Sequence, residues 1–264
     1  MQVRSFAKIN WSLRVTGKRP DGFHELETIF QSISLYDTLT LTLGKRLLLT
    51  CDDPKIPTDE TNLVMRAARA LGSPPVAIHL EKRIPAGGGL GGGSSNAAAT
   101  LMALSTMIPE LMAGIGRLPE IARTLGSDVP FFLVGGTAYA TGRGDVLRPL
   151  DPLEPAIPLV LLMPEERVLT KDAYDGLRKF SKPLGIEHYR TMPFSDFVND
   201  FEPTVFKKLP KLKVLKQQVI DAGATWAGMT GSGSTIVGAF ANAKARDAAL
   251  AAFTNVRAVA CMTT

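Results

Sequence analysis

Between Pro85 and Ala99 the chain reads PAGGGLGGGSSNAAA, with six glycines among the seven residues Gly87 to Gly93, followed by Ser94, Ser95 and Asn96. Glycine loses more conformational entropy on folding than any other residue, so such a run serves stability poorly. It suits a place where bare backbone must approach a ligand. Ala97 to Ala99 and Leu101 to Leu104 are strong helix formers, and Ser94 or Ser95 offers an N-cap hydroxyl. Free N–H groups at a helix start and the positive end of its dipole bind anions, and missing Cβ atoms let a phosphate come close. The alternative is a flexible linker. Here, however, the run is flanked by a strand-like stretch, Val76 to Leu80, and an alanine-rich helix.

The type of phosphate site can be narrowed. A P-loop needs Gly-Lys-Ser/Thr at its end, and this run ends in Gly93-Ser94-Ser95. Gly87, Gly89 and Gly92 satisfy G-x-G-x-x-G, but in so glycine-dense a segment the match comes nearly free. A dinucleotide site also needs an acidic residue at a strand end about 20 residues on, and Glu110 follows Pro109, which reads as loop. His24, His79 and His188 lack metal-ligand spacing, and no G-x-S-x-G elbow is present. Asp52-Asp53 and Glu165-Glu166 read as solvated carboxylates, and Trp11 and Trp226 as core or wall residues.

The elements that must position this loop follow from the pattern. From Val3 to Val15 the odd positions are mainly apolar, which predicts a strand with Lys8 and Asn10 projecting together from its other face. Lys8 then reads as a surface lysine or as a charge held for chemistry. Arg19-Pro20-Asp21-Gly22 is turn chemistry. Leu39, Leu41 and Leu43 alternate with threonines as a second strand. Helices are expected near Asn62 to Leu71, Ser95 to Met107 and Pro119 to Leu125. Gly126 ends the last of these, and Ser127-Asp128-Val129-Pro130 starts another, with Asp128 as an N-cap or a free carboxylate. Gly142 to Asp145 turns between strands.

The proline-spaced stretch Pro149 to Pro158 is the expected domain boundary, giving domains 1–150 and 151–264. Beyond it, Ile157 to Met163 reads as a buried strand, Lys211 to Ala222 as a helix, Ser234 to Phe240 as a strand, Ala243 to Phe253 as a helix and Val256 to Ala260 as a strand. That order suits an α+β split βαβ domain. A second glycine cluster, Gly228 to Ser234, is a tight turn or a loop that closes over a bound phosphate.

With 264 residues, 45% hydrophobic and 21% charged, the chain has the composition of a soluble globular protein. No apolar stretch is long enough to span a bilayer, and MQVRSFAKIN lacks the apolar core of a signal peptide. Cys51 and Cys261 are far apart and in no C-x-x-C pair. The expected setting is cytoplasmic. A net charge of +5 is scattered rather than striped, which argues against nucleic acid; Lys207, Lys208, Lys211, Lys213 and Lys216 read as a solvated helix face.

Ala7-Lys8-Ile9-Asn10, the loop Pro85 to Ser95 and the late loop Gly228 to Ser234 resemble the three motifs of the GHMP kinases, the galactose, homoserine and mevalonate kinase superfamily. The likeness runs along nearly the whole chain. The segments TGKRPDGFHEL from Thr16 and GSDVPF from Gly126 are similar to a branch of that superfamily whose substrate is a cytidine diphosphate-linked polyol. The resemblance implies an α+β, two-domain GHMP kinase fold: an N-terminal α+β ATP-binding domain and a C-terminal ferredoxin-like substrate domain, with the active site in the cleft between. It implies ATP and Mg²⁺ as cofactors, small-molecule substrates, and no nucleic-acid or membrane partner; nothing in the pattern fixes an oligomeric state.

Roles carried over by the resemblance place Asp128 as the base for the alcohol and Lys8 as the neighbouring cation. Pro85, Ala86, Gly87, Gly88, Gly89, Leu90, Gly91, Gly92, Gly93, Ser94 and Ser95 then hold the ATP phosphates. Asn10, Phe23 and His24 fall at the cytidine end, with Tyr174 as a second stacking aromatic. Two alternatives stay open: another small-alcohol kinase of the superfamily, or a nucleotide-binding regulator without chemistry.

Overall fold

The computed structural model describes residues 1–72, 75–112 and 115–264. The chain forms two compact units that share it unevenly: Met1–Ala7, Leu35–Ala86 and Gly91–Gly135 in the first, Lys8–Ser34, Gly87–Leu90 and Gly136–Thr264 in the second. Two long strands, β1 (Gln2–Lys18) and β2 (His24–Leu43), contribute to both. The turn between them is the expected one, with Gly22 at φ +85° and its N–H donating to the Arg19 carbonyl.

In the first unit, β3 (Leu48–Cys51) and α1 (Leu63–Ala70) precede β4 (Val76–Glu81). β4 pairs antiparallel with the second half of β2, Thr38 opposite Glu81, and parallel with β3. Asn62 caps α1 through its side chain, bonding Val64 N. α2 (Gly92–Met107), the short α3 (Pro109–Met112), α4 (Leu118–Leu125) and α5 (Val129–Val134) follow. Glu110 therefore stands in a short helix rather than a loop. Leu39, Leu41, Ile78 and Leu80 from the sheet pack with Val64, Ala68, Ala103 and Leu104 from the helices. α2 is buried along much of its length, which its alanines permit.

In the second unit, β5 (Thr137–Thr141) pairs with the first half of β2 and with β6 (Val146–Leu150), through the expected Gly142 to Asp145 turn. Then come β7 (Pro158–Met163), α6 (Thr170–Asp175), α7 (Ile186–Thr191), α8 (Glu202–Lys208), α9 (Pro210–Asp221), β8 (Trp226–Met229), β9 (Ile236–Ala239), α10 (Ala243–Leu250) and β10 (Arg257–Met262). The four last strands form one antiparallel sheet in the order β10-β7-β9-β8. That order, with α9 and α10 as the crossing helices, is the split βαβ arrangement anticipated above. Every residue of β7 is buried, as befits a central strand of continuous apolar character. Val160, Leu162 and Ile236 face Leu212, Leu215 and Val219 of α9 in its core. Trp11 and Trp226 are core residues, their rings edge to face at 5.1 Å. Among the described residues no helix is long and apolar enough to cross a membrane.

Candidate active site

The glycine run leads directly into α2. Gly87, Gly89 and Gly91 all take positive φ, between +69° and +77°, where a side chain would be strained. Gly91 is the cap residue, and the helix begins at Gly92 with no side-chain cap. Helix α2 thus starts ahead of the expected serine cap. Ser95 turns its hydroxyl inward to the Phe6 carbonyl at 2.6 Å and receives Ser5 Oγ at 2.7 Å, while its own N–H bonds the Gly91 carbonyl. Ser94 remains half-buried at the third helical position. The uncapped start leaves orphan backbone N–H groups, the chemistry an anion site uses.

Beneath this helix start lies a charged cluster that the sequence reading missed. Asp37, fully buried, accepts backbone N–H bonds from Arg83 at 2.7 Å and Ile84 at 2.8 Å through Oδ1. Its Oδ2 takes the Lys82 ammonium and the Asn96 amide, the latter at 2.9 Å. The signal was present: Asp37 falls in the alternating register of Ile33, Leu39 and Leu41, where an apolar residue is expected.

Asp128 also belongs to the first unit. It stands at the residue before α5 with helical dihedrals (φ −82°, ψ −16°) and makes no capping bond to that helix. Its carboxylate is therefore not consumed by the N-cap role that its position allows.

Lys8 and Asn10 lie in the second unit and both are buried, so the second face of β1 is interior and Lys8 is no surface lysine. Lys8 Nζ donates to Asn10 Oδ1 at 2.8 Å and lies 5.1 Å from the Phe30 ring centre, within cation–π range. The Lys8 N–H donates to the Leu90 carbonyl of the glycine run. Asn10 is a junction. Its Oδ1 also accepts Gly231 N–H at 3.1 Å, its Nδ2 donates to Thr28 Oγ1 at 2.7 Å, and its own N–H donates to Thr230 Oγ1 at 3.0 Å. The Thr230 hydroxyl is in turn 3.3 Å from the Gly89 carbonyl. A Cβ on Gly89 would stand 2.2 Å from the Thr230 carbonyl oxygen, so this glycine is required by the approach of the two glycine loops. Asn199 draws the same late loop inward, donating to the carbonyls of Met229 and Gly231.

The aromatic residues fall together in this unit. The His24 ring stacks on Tyr174, with centroids 4.4 Å apart and planes 17° apart, and Phe180 flanks it at 6.1 Å. Burial and the Lys18 charge lower the His24 pKa against the opposing pull of Asp175, which favours neutral imidazole. Phe23 is exposed, with the Arg143 guanidinium 4.8 Å over its ring. The segment 183–200 is anchored by a buried carboxylate: Glu27 accepts Leu184 N–H, Gly185 N–H and the Tyr139 hydroxyl. Burial and that carboxylate raise the Tyr139 pKa.

Comparisons with known proteins identify the family. Residues 62–136 match the GHMP kinases N terminal domain and residues 177–257 the GHMP kinases C terminal domain. A protein of Solibacter usitatus named 4-diphosphocytidyl-2-C-methyl-D-erythritol kinase is 44% identical over 256 residues, covering 90% of this chain and 80% of its own. One of Chlorobium phaeobacteroides with the same name is 41% identical over 257 residues, 91% of this chain and 86% of its own. A crystal structure of 4-(cytidine 5'-diphospho)-2C-methyl-D-erythritol kinase superposes with a TM-score of 0.85 at 36% identity, covering 100% of this chain and 99% of that one. The chain belongs to the GHMP kinases and, within them, to the family of these 4-diphosphocytidyl-2-C-methyl-D-erythritol kinases.

Proposed function

We propose that this protein transfers the γ-phosphoryl group of ATP to the 2-hydroxyl of 4-diphosphocytidyl-2-C-methyl-D-erythritol, a cytoplasmic step of the non-mevalonate route to isoprenoid precursors. The phosphate-binding half of this reading is carried by one observation: three left-handed glycines deliver the chain to an uncapped helix start. The choice of alcohol is supported by relatives that share one name across nine-tenths of the chain.

Phosphoryl transfer asks a protein for positioning and charge neutralisation more than for covalent chemistry. In this reading the backbone of Gly87 to Gly93, with Pro85, Ala86, Leu90, Ser94 and Ser95 shaping the loop, holds the ATP phosphates. Asp128 accepts the hydroxyl proton as the alcohol oxygen attacks phosphorus. The bond from γ-phosphorus to its bridging oxygen breaks and ADP leaves. Lys8 stabilises the charge that develops during transfer, and Asn10 fixes the Lys8 ammonium through Oδ1. Phe23, His24 and Tyr174 take the cytosine, by stacking and by edge recognition. In this reading residues 1–150 make up the ATP-binding domain and 151–264 the substrate domain.

Bound with the nucleotide, Mg²⁺ would supply charge neutralisation at the phosphates. Among the described residues no group of three or more His, Cys, Asp or Glu side chains is assembled for a metal. A nucleotide-borne Mg²⁺ draws most of its ligands from phosphate and water, so the residues present are compatible with it.

The test is a coupled ADP-release assay over four alcohols: the diphosphocytidyl methylerythritol, mevalonate, homoserine and galactose. Turnover confined to the first supports the proposal. Turnover on another alcohol overturns the substrate, and tight ATP binding with no transfer overturns the chemistry.

A further inference from the structure

Asp37 is not near the alcohol-handling residues in sequence, yet it makes the most polar contacts of any buried carboxylate around the glycine loop. Four donors converge on it: two backbone N–H groups from Arg83 and Ile84, the Lys82 ammonium, and the Asn96 amide. The first three come from the chain just before the loop, and the fourth from the first turns of α2, just after it. Asn96 adds a second tie, its amide also reaching Ser5 Oγ at 2.9 Å, and its Oδ1 stands 3.4 Å from Lys82 Nζ. The side chains of Lys82 and Asp37 are 7% and 0% exposed, so this pair is not a surface ornament.

A glycine-rich loop has many conformations to lose when it grips an anion, and any contact that fixes its two ends lowers that loss beforehand. Asp37 does this at one carboxylate, joining entry and exit by hydrogen bonds. The ammonium also matters. Lys82 Nζ is 3.2 Å from where a Cβ on Gly92 would be, so a cation sits against the positive end of α2. By itself that is unfavourable; Asp37 neutralises it and holds it in place.

We propose that Asp37, with Lys82 and Asn96, is a positioning device for the nucleotide: it presets the start of α2 for the ATP phosphates without touching them. The proposal rests on the reading of the glycine loop as the phosphate site.

Charge and position make opposite predictions, which makes the test sharp. Asp37→Asn deletes a negative charge beside the phosphate site, so on charge alone ATP would bind more tightly. As a positioning residue its loss should raise the KM for ATP about tenfold or more while the KM for the polyol stays within about twofold. Asn96→Ala cuts the tie from Asp37 to α2, together with the Asn96 contacts to Ser5 and Lys82, but leaves the ion pair, and should move the ATP KM in the same direction by a smaller factor. Both are measured in the full-length enzyme, with circular dichroism and thermal unfolding confirming the fold. Tighter or unchanged ATP binding in folded Asp37→Asn overturns the proposal, as does a proportional rise in both KM values. If Asp37→Asn does not fold, Asn96→Ala decides alone, and an unchanged ATP KM there overturns it. Gly91→Val separates the two levels: if it leaves ATP affinity intact, the glycine loop is not the phosphate site and the underlying reading fails. If it weakens ATP while the other two variants do not, only the positioning role fails.

Discussion

The His24 ring lies flat on Tyr174, centroids 4.4 Å apart, although 150 residues separate them. Tyr174 also meets Phe201 edge-on at 4.8 Å, so its ring is braced from the core side. Both were assigned to the cytidine end from sequence. Tyr174→Leu keeps the apolar bulk against Phe201 but removes the flat face, and should weaken the polyol by about 1–3 kcal/mol, the scale of base stacking on aromatics. The ATP KM should not move. Steady-state kinetics with each substrate varied in turn decides it, and equal losses for both would assign Tyr174 to packing alone.

His24 supplies a pH signature. Its pKa is lowered in the fold by burial, with Lys18 adding to the effect, whereas the unfolded imidazole titrates near ~6.5. The folded state therefore resists protonation. Stability from neutral His24 is complete above ~6.5 and is lost as pH falls through the lower folded value. His24→Gln lacks this penalty, so the gap in thermal midpoint between wild type and variant should narrow on going from about pH 7.5 to about 5. A gap that widens on acidification contradicts the assignment. The same variant should relax discrimination between CDP and UDP as competitors, because an edge-reading polar site rejects the wrong hydrogen-bond pattern.

Asp128→Ala should lower turnover by about 10²- to 10⁴-fold, the usual range for a general base, with ADP affinity unchanged. Thermal unfolding and circular dichroism confirm that the variant folds. Near-normal turnover in folded protein removes Asp128 from the mechanism.

Lys8→Met should also cut turnover sharply, because the buried ammonium no longer stabilises the charge that develops during transfer. Asn10 Oδ1 keeps its bond from Gly231, so gross disruption does not account for the loss. Steady-state turnover checks it, and a wild-type rate in folded protein would leave Lys8 as a structural residue.

Gly89→Ala places a methyl carbon 2.2 Å from the Thr230 carbonyl oxygen, at a residue with φ +77°. Backbone must yield there, and overpacking of this kind costs about 1–3 kcal/mol. Thermal unfolding should show the loss, and the ATP KM should rise with it. Full stability in this variant would mean that the two glycine loops do not approach as described.

Much of the scaffold was legible from local pattern. The alternation of β1, the helix near Asn62 to Leu71, the Gly142 to Asp145 turn and the elements β7, α9, β9, α10 and β10 follow from periodicity and turn chemistry and stand in the structure, whereas β8 and α6 to α8 were not anticipated. The start of α2 was misjudged because the Ser95 hydroxyl is claimed by Ser5 and the Phe6 carbonyl, partners about 90 residues away that no local rule can see. Glu27 was missed for the same reason, and Asp37 was missed although it stands in an apolar register. A buried carboxylate is identified by the donors that surround it, and those donors come from distant segments. Lys8 was visible as a candidate, but only burial on both faces of β1 shows that solvent does not explain it.

The bond from Asn10 N–H to Thr230 Oγ1 joins residues 220 positions apart. On the ribosome this sets an order of events. Asn10 of β1 is synthesised 220 residues ahead of Thr230, and its inward amide waits until the late glycine loop has been made and has reached it. Local helices can form meanwhile, whereas closing so long a loop is the slow and costly step. The constellation around Lys8 is thus completed only after the late loop is made, and a nascent chain cut short of Thr230 would leave β1 with buried polar groups exposed to wrong partners.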